Sequence, residues 1–141
     1  MAPKDPKVEL LKQIPLFSGL GSHDLDRIAQ LMDEVDVTAG TVLMTQGHQG
    51  HEMFVVVSGR LGIERDGQLV AESGPGESLG VMALLAEGPR TATVTAIEPS
   101  RLMVAGHREF HALMAVSSEI RTHILETLVH QVRNLDASAV H

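Results

Sequence analysis

One segment decides the fold: residues 74–94 read GPGESLGVMALLAEGPRTATV. Within it, the run Leu79–Leu85 is rich in helix formers and is flanked by glycine, which predicts a short helix inserted between two strands. Gly80 lets an anion approach the backbone closely, and the start of a helix offers N–H groups that bind anions. Arg90 follows one loop later, and its planar guanidinium suits phosphate oxygens. On these residues alone, the alternative is that the glycines make turns and that Arg90 is a solvated charge.

The region around this segment, from Glu34 to Ala105, has the pattern of short β-strands. Apolar and β-branched residues alternate with polar ones, glycines separate the runs, and Asp66-Gly67 is a strong hairpin signal. Seven or so short strands with regular turns predict a sandwich or a barrel. The predicted strand segments are residues 35–37, 42–44, 53–57, 61–63, 69–71, 92–97 and 101–104.

Helical patterns precede the β-region. The run Val8–Ile14 is a short helical pattern that Pro15 stops. Ser22 is a favourable N-cap for a second helix, whose apolar residues recur at helical spacing as far as Met32. Ahead of both, the first seven residues contain two prolines and three charges, which indicate a flexible tail.

Two further helical patterns follow the β-region. The first covers residues 107–116, and the second restarts at Ser117 or Ser118, either of which suits a cap. An apolar stripe then extends from Ile120 to Leu135. The stripe either packs the last helix against the β-region or forms a mobile lid or a dimer seam, and the sequence leaves these alternatives open.

Composition narrows the class of protein. With 141 residues, of which 43% are hydrophobic, one folded domain is expected. The absence of cysteine excludes a disulfide scaffold and a thiolate metal site, and it fits a cytoplasmic protein. A net charge of −7 without a basic cluster argues against nucleic acid as a partner. No run reaches the length of a membrane span, so we expect no membrane partner.

Histidines are the main candidates for metal ligands. His107 and His111 stand four residues apart, as helical zinc ligands can, but no acidic residue completes a zinc motif. His48 and His51 flank a predicted turn at Gln49-Gly50. A metal-dependent, cupin-like enzyme is the alternative, but this sequence lacks the histidine spacing that a cupin metal site requires. Nucleophile elbow, Walker and dinucleotide-binding motifs do not occur. We therefore predict a non-enzyme without a metal, a cofactor or catalytic residues.

Three segments, in this order, resemble the cyclic nucleotide-binding domain family. Gly40–Gly47 is similar to the family's glycine-bracketed hairpin, and Met53–Leu61 is similar to its central strand and turn. Gly80–Val94 resembles the phosphate-binding cassette, and its ending PRTATV matches the family's Pro-Arg-x-Ala-Thr-Val. The resemblance extends over almost the whole chain, and similar domains regulate cyclic AMP receptor proteins, cyclic nucleotide-dependent kinases and bacterial cyclic nucleotide-gated channels.

The resemblance implies a mainly β fold with flanking α-helices. Its centre is a β-roll, double-stranded and jelly-roll-like, with an N-terminal helical segment, a short internal phosphate-cassette helix and two C-terminal helices. The implied division is a flexible tail at 1–7, a single domain at 8–136 and a second tail at 137–141. Within the domain, residues 8–33 are helical, residues 34–105 form the β-roll and residues 107–136 form the C-terminal helices.

The resemblance also implies a regulatory module that binds cyclic AMP or cyclic GMP. Arg90 would bind the cyclic phosphate, while Gly80 and the backbone of Ala83 would line the phosphate and ribose. A hydroxyl at Thr91 often accompanies cyclic GMP in the family, although bacterial cyclic AMP binders also carry one. The C-terminal helices would relay binding to an effector protein or to a second copy of the chain. The implied binding residues are Gly80, Val81, Met82, Ala83, Arg90, Thr91 and Ala92.

Val81 departs from the family pattern. The family usually places there a glutamate that accepts a hydrogen bond from the ribose 2′-hydroxyl, and Glu77 matches a different, commonly acidic position. A hydrogen bond to a charged group contributes roughly 1.5–3 kcal/mol, so its loss weakens binding about tenfold to a hundredfold or more. Weak binding, a different ligand, and a degenerate fold that acts only as a protein-interaction module all remain open.

Overall fold

The computed structural model describes residues 6–140, with the side chains of residues 131 and 134–140 left aside. Two compact units are present: residues up to Ala29 together with those from Ala112 onward, and Gln30–His111. We call the first the helical unit and the second the β unit. Residues 1–5 and 141, at the ends of the two predicted tails, lie outside the described residues.

Four α-helices flank the β-strands in the described sequence, as expected. Helix α1 starts two residues inside the predicted tail, since proline is favoured in a first helical turn. Helix α4 likewise continues past the predicted domain end. The bounds are Pro6–Leu11 for α1, Ser22–Gln30 for α2, His107–Val116 for α3 and Ser118–Val140 for α4. Ser117 caps α4, because its Oγ accepts a hydrogen bond from the Ile120 N–H at 3.3 Å.

The apolar stripe of α4 divides into two faces. Ile120 and Ile124 are buried, whereas Leu125, Val129 and Val132 are each more than half exposed. Leu135, which also belongs to the predicted stripe, is among the residues whose side chains are not described. The helix therefore presents one covered face and one open face rather than a single seam.

Ten strands lie in the described part of the chain. Three of them, β3, β7 and β8, are ladders of two residues each, which explains why about seven were predicted. The strands are β1 Asp33–Val37, β2 Val42–Met44, β3 Gln49–Gly50, β4 Glu52–Ser58, β5 Leu61–Arg65, β6 Gln68–Ser73, β7 Ser78–Leu79, β8 Gly88–Pro89, β9 Thr93–Ala96 and β10 Ser100–Gly106.

The strands form two four-stranded antiparallel sheets and a small third one. The orders are β1-β10-β4-β7 and β2-β9-β5-β6, with β3 paired to β8. Both larger sheets contribute to one core, since Phe54 and Leu102 come from the first and Leu61 and Val94 from the second. This two-layered architecture confirms the predicted mainly β roll with flanking helices.

The predicted hairpin at Asp66-Gly67 joins β5 to β6. Asp66 has φ 53° and Gly67 has φ 82°, the pair of positive angles that a two-residue type I′ turn requires. Arg65 pairs with Gln68 across this turn. The turn thus sets the position of the last residue of β5, which matters for the site described next.

Candidate functional site

A cavity of about 460 Å³ lies in the β unit, within the roughly 300–1,000 Å³ typical of small-molecule sites. All seven residues implied by the family resemblance line it, so the structure brings together residues from both ends of the cassette. The other lining residues are mostly apolar, but they also include a second arginine, Arg65. Apolar walls with a few charged groups suit a small organic anion.

Gly80 forms the turn at one side of the cavity. It has φ 73° and ψ 21°, a left-handed conformation that favours glycine, and it caps a 3-10 helix of four residues, Val81–Leu84. We call this the cassette helix; it is shorter than predicted because Leu79 belongs to β7. A Cβ atom at Gly80 would lie 2.6 Å from Arg90 Nη1 and 2.9 Å from the Glu52 carbonyl oxygen, so a side chain here would displace the arginine.

The backbone of Arg90 is held by the loop before β3. Its N–H donates to the His48 carbonyl oxygen at 2.7 Å, and its own carbonyl oxygen accepts from the Gly47 N–H at 2.9 Å. The adjacent ladder pairs Gln49 with Pro89. These contacts fix the direction in which the side chain of Arg90 extends from the backbone. They join residues about 40 positions apart in the sequence.

The guanidinium of Arg90 is half-buried beside two glycines. A Cβ atom at Gly50 would lie 2.5 Å from Arg90 Nε, so both Gly50 and Gly80 leave room for it. Arg90 Nη2 donates to the Glu52 carbonyl oxygen at 2.8 Å, and no carboxylate pairs with it among the described residues. Burial lowers the pKa of Arg90 and the charge of Glu52 partly offsets this. The cation is therefore short of compensation, which an anionic ligand would supply.

Arg65 is the lining residue that sequence reasoning missed. Its Nε donates to the Thr91 carbonyl oxygen at 3.2 Å, immediately after Arg90 in the chain. A signal was present, because Arg65 stands two residues after the apolar Ile63 on one strand and alternate residues share a face. However, only the register of β5 against β9 shows that this face of β5 lies beside Thr91 and Ala92.

Val81 remains without an acidic substitute. No described residue that lines the cavity is acidic, and Glu77 accepts a hydrogen bond from the Gly74 N–H at 3.2 Å within its own turn. Val81 is half-buried, and Met82 beside it is 61% exposed. The wall formed by the start of the cassette helix is therefore apolar.

Two histidines, His51 and His107, line a second, larger cleft of about 560 Å³ in the same unit. Glu87 Oε1 lies 3.2 Å from His51 Nδ1 and 3.9 Å from His107 Nε2. Arg108 and Glu109 add charges of both signs to its lining. Within the described residues, no three His, Cys, Asp or Glu side chains are arranged to hold a metal ion.

His107 from this cleft and His111, one turn further along α3, contact the cassette segment. His107 Nδ1 lies 2.9 Å from the Ala83 carbonyl oxygen, and His111 Nε2 lies 3.2 Å from the Leu85 carbonyl oxygen. The centroids of the two rings lie 4.1 Å apart, with the ring planes tilted by 36°. The spacing of four residues, considered as a zinc signal in the sequence, instead lets one helical face of α3 bind carbonyls at the end of the cassette helix.

Comparison with known proteins identifies the family. The family model of the cyclic nucleotide-binding domain matches residues 34–117, and the chain belongs to this family of regulatory binding domains. A cyclic nucleotide-gated potassium channel of Rhizobium etli is 34% identical over 123 residues, covering 87% of this chain and 34% of the channel. The chain spans only 28–36% of the length of the first three curated relatives it matches.

Solved structures agree with this assignment. The N-terminal domain of a transcriptional regulator from Streptomyces coelicolor superimposes with a TM-score of 0.87 at 30% identity, covering 92% of this chain and 94% of that one. The regulatory domain of Toxoplasma gondii PKA, crystallised with cAMP, gives a TM-score of 0.71 at 33% identity, covering 79% of this chain and 46% of that one. Separately, none of the described helices combines the length and the apolarity needed to cross a membrane.

Proposed function

We propose that this chain is a regulatory sensor that binds a cyclic nucleotide, cyclic AMP or cyclic GMP, in the 460 Å³ cavity. Arg90 and the Gly80 turn hold the cyclic phosphate, and the neighbouring cassette residues line the ribose and base. The observation that carries the proposal is the guanidinium of Arg90, which lies against Gly80 without a carboxylate partner among the described residues.

Charge balance favours a cyclic phosphate at this position. A cyclic phosphodiester has one negative charge, which matches the one cation seated beside Gly80. Hydrogen bonds between arginine and phosphate are charge-assisted and bidentate, and they compensate the burial that lowers the pKa of Arg90. No metal and no second cofactor is needed to neutralise such a ligand.

We further propose that the C-terminal helices relay the bound state. The support is the pair of contacts from His107 and His111 in α3 to the carbonyl oxygens of the cassette segment. A cassette that moves around a ligand would have to carry these side chains with it or release them. The output would then be an effector protein in the cytoplasm or a second copy of the chain, bound through the exposed face of α4.

Isothermal calorimetry with cyclic AMP, cyclic GMP and linear 5′-AMP tests the binding proposal. We expect saturable one-site binding of at least one cyclic nucleotide and much weaker binding of 5′-AMP, whose phosphate is not closed onto the ribose. A thermal shift that follows the same concentrations would support the result, because a ligand that binds only the folded state stabilises it. If neither cyclic nucleotide binds at millimolar concentration, the proposal fails.

A degenerate interaction module is the second candidate. It is favoured by Val81, which leaves the cavity without the family's ribose-binding carboxylate, and by the open apolar face of α4. In that case no cyclic nucleotide binds, and the exposed residues Leu125, Val129 and Val132 account for association. The test is to change these three residues to serine and to compare the sedimentation mass of the variant with that of the parent. The variant would have the lower mass only if this face joins two copies of the chain.

A further inference from the structure

We infer that Arg65 is a specificity-determining residue of the ligand cavity, which reads the nucleobase and selects a 6-oxo purine over a 6-amino purine. The inference rests on the proposed function of the cavity. It assigns to this site a ligand class, cyclic nucleotides with adjacent acceptor atoms on the base edge, of which cyclic GMP and cyclic IMP are members.

The placement of Arg65 separates it from the phosphate subsite. Arg90 is held by the Glu52 carbonyl oxygen and lies against Gly50 and Gly80. Arg65 instead belongs to β5 and is fixed by one bond, from its Nε to the Thr91 carbonyl oxygen at 3.2 Å. Within the described residues this is its one hydrogen bond, so the two terminal nitrogens are available to a ligand in the cavity that Arg65 lines.

The charge of the cavity favours a ligand with a second acceptor. Two arginines line it, no described lining residue is acidic, and a cyclic phosphodiester supplies a single negative charge. Once Arg90 binds the phosphate, the remaining N–H groups of the exposed Arg65 can exchange water for acceptors elsewhere on the nucleotide. Because a guanidinium has donors and no acceptor, a group that donates hydrogen bonds is a poor partner for it.

The two purines differ in this respect at one edge. Guanine presents O6 and N7 as neighbouring acceptors, which arginine binds bidentately, whereas adenine presents the N7 acceptor beside an N6 donor. Ile63, two residues earlier on the same strand and in the same cavity, offers an apolar surface for a base. The arrangement around Arg65 therefore matches the oxo edge and opposes the amino edge.

A binding experiment with three nucleotides isolates this edge. Cyclic IMP and cyclic AMP differ in the 6-position group, and cyclic GMP adds a 2-amino group to cyclic IMP. For the parent we expect cyclic GMP and cyclic IMP to bind about tenfold more tightly than cyclic AMP. Arg65→Ala is expected to abolish this preference while leaving the affinity for cyclic AMP within about twofold of the parent, because adenine gains little from the guanidinium.

Two further variants separate geometry from charge. Arg60→Ala is the matched control, since Arg60 lies next to the start of β5, pairs with Glu72 at 3.0 Å and does not line the cavity; it is expected to keep the full preference. Arg65→Lys keeps the charge but lacks the planar fork, and it is expected to lose most of the preference. Thermal unfolding of each variant checks that the fold is retained. We expect it to be retained in the Arg65 variants, because Arg65 is exposed.

The outcomes distinguish this inference from the proposed function. If all three nucleotides bind the parent equally, or if cyclic AMP binds best, the inference is overturned while the proposed function stands. If Arg65→Ala weakens all three alike, Arg65 contacts the phosphate and does not read the base. If no cyclic nucleotide binds the parent, the proposed function itself fails and the inference fails with it.

Discussion

Two cavities of the β unit, the histidine-lined cleft and the cassette cavity, differ in chemistry more than in size. The histidine-lined cleft is the larger, about 560 Å³ against about 460 Å³. Its lining includes residues of both charges, and His51 Nδ1 lies 3.2 Å from Glu87 Oε1. The cassette cavity has two arginines, and no acidic group among its described lining residues pairs with them. Volume alone would favour the histidine-lined cleft, whereas unpaired charge against apolar walls favours the cassette cavity as the proposed site for an anion.

The same contrast appears between two arginines. Arg101 is paired with the exposed Asp36, whose hydrogen bond raises the pKa of Arg101. Arg90 has a backbone carbonyl in place of a carboxylate, and burial lowers its pKa. A paired surface cation is already satisfied, while a half-buried cation without an acid is ready for a ligand. The predictions that follow test this difference.

Removing Arg90 should have the largest effect. In Arg90→Ala the phosphate loses its cationic partner, and loss of one member of a buried, hydrogen-bonded charge pair costs about 2–5 kcal/mol. We expect cyclic nucleotide affinity to fall about thirtyfold or more, with the fold intact, as measured by calorimetry and circular dichroism. Arg101→Ala is the control and should bind as the parent does. If the affinity of Arg90→Ala equals that of the parent, Arg90 does not bind the phosphate.

Restoring an acid should have the next largest effect. Val81→Glu places a carboxylate where the family usually has one, so a bond to the ribose 2′-hydroxyl is regained, worth roughly 1.5–3 kcal/mol if the cassette geometry is kept. The variant should prefer a cyclic nucleotide over its 2′-deoxy analogue, and the parent should distinguish them poorly. Four calorimetric titrations measure this comparison. A strong preference for ribose in the parent would mean that another group reads the hydroxyl.

Weakening the contact between α3 and the cassette should have a smaller effect. His107→Ala removes the bond to the Ala83 carbonyl oxygen, and a typical hydrogen bond contributes about 0.5–1.5 kcal/mol. We expect a lower unfolding temperature and a few-fold change in nucleotide affinity. His107→Asn is the matched variant, because its Nδ2 donates from the position of the imidazole Nδ1. If His107→Asn does not recover the unfolding temperature and affinity that His107→Ala changes, the contact with the Ala83 carbonyl oxygen is not the cause of those changes.

The smallest effect should come from the surface pair. The hydrogen bond from Arg101 holds the pKa of Asp36 below its ordinary value of 3.8. A depressed carboxyl pKa adds stability that is present above the unfolded pKa and is lost as the pH falls through the lower, folded pKa. Asp36→Asn should therefore unfold at a slightly lower temperature at pH 7, and the gap should close below pH 3.8. Thermal denaturation curves of the parent and of Asp36→Asn at pH 7, at acidic pH and at high salt measure this difference in unfolding temperature. A difference that persists in acid would contradict the ion pair between Asp36 and Arg101.

Local patterns in the sequence were sufficient for much of this protein. Asp66-Gly67 specified a hairpin because few residue pairs accept two positive φ angles. The strand rhythm specified a mainly β fold, and the cassette segment carried all seven cavity residues that the resemblance implied. Such features depend on neighbours within about twenty positions, so they can be read from a linear chain.

Contacts between distant segments were decided only by the tertiary structure. The placement of Arg65 beside Thr91 depends on the register of β5 against β9, and the support of Arg90 by Gly47 and His48 depends on the ladder between β3 and β8. The division of the α4 stripe into a buried and an exposed face depends on which residues other elements cover. These pairings join positions tens of residues apart, and no local propensity determines them, because register is set by the packing of whole sheets.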